Sequence, residues 1–289
     1  AGFTQPALRD DQRRFRSTAA SVHGLCKAVR AAGRAHVNSG VAIHSLRAAS
    51  AGSIAELIER VGDDSIAIHI HVAEQTAEVD DCIKSTGARP IEWLCRELRP
   101  DARWHLVHAT HALPTEIDAV AASGANVVIC PSTEANLGDG LADLPRWLAA
   151  GVPLTVGSDS QVCRSWAEEL RWLEYGQRLV RRERNVSAQP APVQSATAAR
   201  LFDAVLAGGA ASAGLKSWGF VAGARADLLV LDDKAPGLLG VPASHTLDAL
   251  VFATDSCAMR DVYVAGRRVL VAGRHAAEAR IGARYAEGR

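Results

Sequence analysis

Five short runs rich in β-branched and apolar residues recur along the first half of the chain: VAIHS (41–45), IAIHIHVAE (66–74), WHLVHA (104–109), NVVICP (126–131) and PLTVGSD (153–159). The stretches SIAELIERVG, PIEWLCRELRP, PTEIDAVAASG and DLPRWLAAG lie between them, with apolar residues at three-to-four spacing and a glycine near the end of several. A strand followed by a helix and then a strand has to cross over, so neighbouring strands run parallel and need helices to cover them. This alternation predicts βαβ units and an α/β fold. Two longer helical stretches follow residue 160, WAEELRWLEYGQRLV and TAARLFDAVLAGGAASAG. The texture then turns to β with ADLLVLD, LDALVFAT and MRDVYVAGRRVLVAGRH, the last carrying an AG turn between alternating residues. The sequence therefore reads as two domains, 1–218 and 219–289.

Composition narrows the classes of function. A chain of 289 residues with 48% hydrophobic content buries a substantial core. Lys plus Arg and Asp plus Glu both number 32, so no positive excess exists to attract nucleic acid or an anionic membrane surface. No apolar run approaches the roughly 20 residues that span a bilayer, and AGFTQPALRDDQRRF is too polar for a signal peptide, which reads as a cytoplasmic protein. The six cysteines, Cys26, Cys82, Cys95, Cys130, Cys163 and Cys257, form no CxxC pair and read as reduced, mostly buried thiols. By that reading any metal uses histidine and carboxylate.

His44, His71, His108 and Asp159 all fall at or near the C-terminal ends of their strands, where parallel α/β proteins build their sites. A lone histidine there is ordinarily a hydrogen-bonded core or surface residue. Four such coincidences favour a site. In HIHVAEQ (69–75), His69 and His71 are two apart and share a strand face, while Glu74 stands where the strand gives way to a loop and can curl back toward His71. His71 is then a metal ligand and Glu74 a proton shuttle, with His69 a structural neighbour. His105 and His111 read as structural. Asp159 in GSDS reads equally as a helix N-cap, and Arg47, three residues after His44, is ordinarily a solvated charge but offers a planar fork for a carboxylate. Glu134, Asn136 and Asp139 either line the pocket or shape a turn.

The set HVAE, LVHATH (106–111) and VGSDS resembles strands five, six and eight of the amidohydrolase superfamily of barrel metalloenzymes. Within it, IHSLR (43–47), HIHVAEQ, VDDC (79–82), LVHATH, CPSTEANLGDG (130–140) and EELRWLEYGQRL (168–179) resemble the N-formimino-L-glutamate iminohydrolase family of histidine degradation. The resemblance implies a (β/α)₈ TIM-barrel metallo-dependent hydrolase showing about five of its eight strands, followed by the C-terminal part of a small β-sandwich. It implies a zinc-dependent deaminase that hydrolyses a C=N bond, N-formimino-L-glutamate plus water to N-formyl-L-glutamate plus ammonia. His71 and Asp159 would hold one divalent ion, Zn²⁺. Glu74, His108 and Asp159 would be catalytic, and His44 and Arg47 would bind a small dicarboxylate substrate. Family members are commonly dimers, which implies a homodimer.

The sequence departs from the family in two places. The first-strand His-x-His metal pair has no counterpart, and Ala1 falls in a segment resembling the loop after the third strand, which reads as a truncated chain. Gln161 stands where the family carries a histidine after SDS. With two of four metal ligands, the chain as given is expected to bind zinc weakly and to be inactive, with edge strands near 41–45 and 153–159. A purine deaminase and an inactive remnant are the competing readings.

Overall fold

The computed structural model describes residues 8–62, 65–190, 193, 196–254 and 258–288. Part of the opening segment from Ala1 and Cys257 therefore lie outside the described residues. The chain divides into two compact units, Ala1–Leu215 and Lys216–Arg289, three residues from the boundary read from the sequence.

The first unit is built on β1 (Val41–Ser45), β2 (Ile68–Val72), β3 (Trp104–His108), β4 (Asn126–Ile129) and β5 (Leu154–Val156). They form one sheet in the order β1-β2-β3-β4-β5, every neighbouring pair parallel. The helices are α1 (Ala19–Ala31), α2 (Ala51–Val61), α3 (Thr76–Thr86), α4 (Pro90–Glu97), α5 (Pro114–Ser123), α6 (Pro131–Leu137), α7 (Leu144–Ala149), α8 (Trp166–Arg181) and α9 (Thr197–Ser212). Proline opens α4 and α5, where its missing N–H is not needed, and Gly87 and Gly124 end α3 and α5 in the left-handed conformation. The periodic apolar positions of these helices, Ile54, Leu57, Ile91, Leu94, Ile117, Val120, Leu144 and Trp147, are buried. So are Ile68, Ile70, Leu106, Val127 and Leu154 of the strands, each such aliphatic side chain stabilising the fold by roughly 1.5–3 kcal/mol.

The other face of the sheet is polar. Register aligns Ala42 with His69, His69 with His105, and His105 with Asn126, so these side chains share one face. Helix α9 packs on the early part of that face. Its backbone accepts a hydrogen bond from the Thr155 hydroxyl at Val205 (2.9 Å), and its last residue, Ser212, meets His69 and His105. Gly208 makes the approach possible, because a Cβ there would fall inside the Leu154 backbone.

The second unit carries an antiparallel sheet of β6 (Leu228–Leu231), β7 (Met259–Val264), β8 (Arg267–Val271) and β9 (Arg274–His275). The AG turn joins β7 to β8 with Ala265 and Gly266 both at positive φ, the geometry of a tight hairpin, and Ala272–Gly273 repeats it. LDALVFAT (247–254) is not a strand. Residues Thr246–Asp248 are α-helical and Ala249–Ala253 form a wide π turn, closed by the Thr254 hydroxyl on the Ala249 carbonyl (2.9 Å). Its apolar run is too short for periodicity to separate a strand from a buried helical turn. TEANLGDG likewise forms most of α6, capped by Gly138, rather than a simple turn.

Gly208→Ala should therefore destabilise the chain by about 1–3 kcal/mol, as overpacking does. Gly24→Ala, inside α1 with nothing near its would-be Cβ, should raise stability by about 1 kcal/mol. Urea denaturation of the two variants checks both signs.

Candidate active site

The C-terminal ends of β1, β2, β3 and β5 bring the predicted residues together. His71 Nδ1 lies 2.7 Å from the His44 carbonyl, so the ring donates there and Nε2 is turned away from that bond. The ring stands 5.5 Å from that of His44 and stacks on that of His108 at 5.4 Å. Beyond β2 the chain turns through Ala73 at φ 51°, and the amides of Ala73 and Glu74 donate to the carboxylate of Glu78 (3.1 and 3.0 Å). Glu78 belongs to the first turn of α3 and is buried; burial pushes its carboxyl up, against the pull of Arg47 and the two amides.

Arg47 is half-buried and paired. Its Nη2 donates to Glu74 Oε2 at 2.5 Å, and its Nε lies 3.8 Å from Glu78 Oε2, making no hydrogen bond among the described residues. The guanidinium thus joins the proton-shuttle candidate to the carboxylate that orients its loop.

His108 occupies the centre. Strand alternation aligns Val107 with His71 and would turn His108 to the opposite face. A φ of 70° at His108, followed by 47° at Ala109, breaks the alternation and lets the ring meet His71. Left-handed backbone at such residues costs about 1–3 kcal/mol each, and it recurs at Asp159 (φ 35°) and Gln161 (φ 59°). His108 Nδ1 reaches Glu134 Oε1 at 3.3 Å. Its Nε2 faces Glu74 Oε1 and Asp159 Oδ2, each at 3.8 Å, and is buried without a hydrogen-bond partner among the described residues. Burial opposes a charged ring, but the Glu134 hydrogen bond and the charges of Glu74, Glu134 and Asp159 outweigh it and raise the His108 pKa.

Behind these stand Glu134, read from the sequence only as lining the pocket or shaping a turn, and Ser132, Thr133, Ser160 and Glu169, to which sequence reasoning gave no role. Glu134 Oε1 also accepts the Cys130 amide (2.9 Å). Glu169 on α8 accepts the amide and hydroxyl of Ser132 (3.0 and 2.6 Å). The Thr133 hydroxyl pairs with that of Ser160 at 3.0 Å and accepts its amide, which ties α6 to the turn carrying Asp159. EELRW and STE carried this signal only as motifs, because nothing in spacing pairs α8 with α6. Asp139 Oδ2 and His111 Nε2 are buried and unpartnered among the described residues, and Asn136 is exposed on α6.

Neutral imidazoles beside carboxylates are suitable donors for a divalent cation, and the orphaned Nε2 of His108 is consistent with one nearby. A further potential donor stands there. His108, Cys130 and Asp159 each offer an atom within 4.8 Å of the other two.

Residues 5–269 match the model of the Amidohydrolase family. The chain belongs to the amidohydrolase family. It is 46% identical over 282 residues to the formimidoylglutamate deiminase of Pseudomonas aeruginosa, covering 97% of this chain and 61% of that protein. The crystal structure of an amidohydrolase from Brucella melitensis superposes with a TM-score of 0.91 at 37% identity, over 99% of this chain and 62% of the other. An adenosine deaminase from Xanthomonas campestris, solved with bound zinc, shares the fold at a TM-score of 0.81 and 23% identity, over 93% and 60%. The five parallel strands are thus part of an amidohydrolase barrel, and this chain spans about three fifths of the length of these relatives.

Two histidines of this amidohydrolase lie away from the cluster. His69 and His105 stack at 4.7 Å; His69 Nε2 lies 3.2 Å from the Ser212 carbonyl, and His105 Nδ1 lies 2.9 Å from the Ser212 hydroxyl. Burial, then the charge of His69, holds the His105 pKa down at about 4, and burial lowers that of His69. The unfolded chain protonates His105 near pH 6.5 and the folded chain only near 4, so stability is full above about 6.5 and falls as pH drops through that window. The His105 share is on the order of 3 kcal/mol. His105→Asn should flatten the loss of stability between about pH 6.5 and 4, measured by urea denaturation at stepped pH.

Proposed function

We propose that this chain carries the hydrolytic centre of a formimino-glutamate deiminase, converting N-formimino-L-glutamate and water to N-formyl-L-glutamate and ammonia. The observation that carries the reading is the convergence on His108 Nε2 of Glu74 and Asp159, each at 3.8 Å, from the ends of separate strands. The 46% identity to a protein named for this deimination supports the substrate.

Zinc is the ion we assign, held by His71 and Asp159, and its Lewis acidity would bring the pKa of water to about 7. Asp159 accepts the proton of the attacking water, and His108 Nε2 holds that water in line with the imine carbon. Glu74 carries a proton to the imine nitrogen, so the C–N bond breaks with ammonia as the leaving group and the carbon keeps the oxygen of water as a formyl group. His44 and Arg47 hold the substrate carboxylates. The ion pair with Glu74 adds a second task for Arg47, keeping the shuttle aimed at the centre.

We place the reaction in the cytoplasm, with a homodimer as the working assembly. The five described cysteines are all free, in keeping with a reducing compartment. Among the described residues no helix is long and apolar enough to cross a membrane.

In the whole protein, ammonia should be released from formimino-glutamate faster than from guanine or adenosine; equal or slower release would reject the assignment. Glu74→Gln should keep fold and metal while kcat falls about 10²–10⁴-fold. Arg47→Met should raise KM, through the lost carboxylate contact, and also lower kcat, through the released Glu74, whereas Arg47→Lys should recover part of both. A KM and kcat left unchanged by Arg47→Met would remove Arg47 from the site.

A further inference from the structure

The loops around Glu74 hold a group of polar atoms that the deimination steps leave unused. Thr110 Oγ1, His111 Nε2 and Asp139 Oδ2 are all buried and without a hydrogen-bond partner among the described residues. Thr110 and Asp139 are 6% and 8% exposed, so bulk water does not solvate them. Buried polar atoms are nearly always paired, and three orphans on neighbouring loops need a cause. We propose that these three atoms form a subsite for the planar, positively charged face of an amidinium group, with Asp139 the residue that selects charged C=N substrates over neutral ones. That the amidinium belongs to the substrate rests on the deiminase reading; the binding of such a cation does not.

The atoms converge because the loops that bear them are tied together. The His111 amide donates to the Ala73 carbonyl at 3.1 Å, which holds the turn after β3 against the one that carries Glu74. The Asp139 amide donates to the Glu134 carbonyl at 2.9 Å, where α6 closes at Gly138. Gly140 then passes so close that a Cβ there would stand 3.5 Å from His111 Cε1 and 3.6 Å from Thr110 Cγ2, and its φ of 120° favours glycine. Asp139 is thereby carried to the loop of Thr110 and His111. The charges that act on its carboxylate are those of Glu74, His108 and His111, none of them a permanent cation. The Gln75 amide donates to the carboxylate, yet Oδ2 stays unmatched. Burial pushes the carboxyl up, Gln75 pulls it down and Glu74 pushes it up further, so a cation placed against it is strongly favoured.

The acceptor types choose the ligand. An amidine is a strong base and is protonated near neutral pH, with one positive charge spread over two nitrogens whose N–H bonds fan out in a plane. It resembles the arginine head group with one nitrogen fewer, and it suits a carboxylate for the same geometric reason. Asp139 Oδ2 accepts one N–H. The Thr110 hydroxyl oxygen accepts another, and His111, with its proton on Nδ1, adds the lone pair of Nε2. Asp139 moves no proton in this scheme; Glu74 remains the shuttle. A neutral amide or purine ring brings no charge to Asp139, so the subsite holds formimino-glutamate more tightly than such molecules. The same contrast favours release, because the formyl group left after the C–N bond breaks is neutral.

Binding and kinetics test it separately. Formamidinium chloride, the amidinium alone, is titrated into the chain with its histidines labelled with nitrogen-15, and the His111 signal, identified by its loss in His111→Gln, is followed by NMR. A saturable shift is expected in the parent chain and its loss in Asp139→Asn, while sodium chloride at the same concentration gives none. No saturable shift in the parent, or an equal one in Asp139→Asn, overturns the subsite. In the whole protein, Asp139→Asn should raise KM for formimino-glutamate by about 10–100-fold and Thr110→Val by about 2–10-fold. The inhibition constant of N-formyl-L-glutamate, which keeps both carboxylates and lacks the charge, should stay unchanged in both variants. Equal weakening of substrate and formyl compound would make these residues structural and also overturns the proposal. Absence of formimino-glutamate turnover in the parent, with the formamidinium shift intact, rejects the deiminase reading alone.

Discussion

The strand ends of this chain depend on buried carboxylates that receive backbone amides. Where a parallel strand stops, the next amides lose their ladder partners, and inside the protein no water replaces them. Glu78 takes the amides of Ala73 and Glu74, Glu134 that of Cys130, and Glu169 that of Ser132. Each is nearly inaccessible to solvent. Removing any one would leave buried donors unpaired, at about 1–3 kcal/mol apiece. The loop that presents Glu74 is therefore fixed from behind, which permits a left-handed turn at the non-glycine Ala73 that a free loop would not hold.

The same carboxylates set the electrostatics. Glu78 orients the loop of Glu74 and Glu134 meets His108, so the groups that hold the backbone also govern the charges that face the reaction centre. Arg47 is the guanidinium that offsets them, paired with Glu74 and near Glu78. A site with several carboxylates and one paired guanidinium draws cations, and an anionic substrate has to engage that guanidinium to approach.

The alternation of strand and helix was legible in the sequence because its two periods, 2 and 3.6, differ sharply over whole elements. Strand ends followed, and with them His44, His71, His108 and Asp159. The short segments were less legible: LDALVFAT and STEANL lack the length for a period to show, and both became helical. Residues acting at a distance in sequence were invisible. Glu169 lies 37 residues from Ser132 and Ser160 lies 27 from Thr133, and no local pattern records such pairings. Cys130 was legible as a residue and set aside as a core thiol; its placement at the end of the fourth strand, between two donors, emerges only in three dimensions. Arg47 was read as a carboxylate-binding residue, but its pairing with Glu74 was invisible because its partners stand beyond the next strand and on the next helix.

Helix α9 has a consequence for what this family member can accept. It ends at Ser212 against His69, two residues before His71 on the same strand, a distance of about 7 Å along β2. A molecule entering from the strand ends therefore meets a floor just beneath the reacting groups. Ser212 and the stacked rings of His69 and His105 are thus the base on which the cluster of His71, His108 and Asp159 stands.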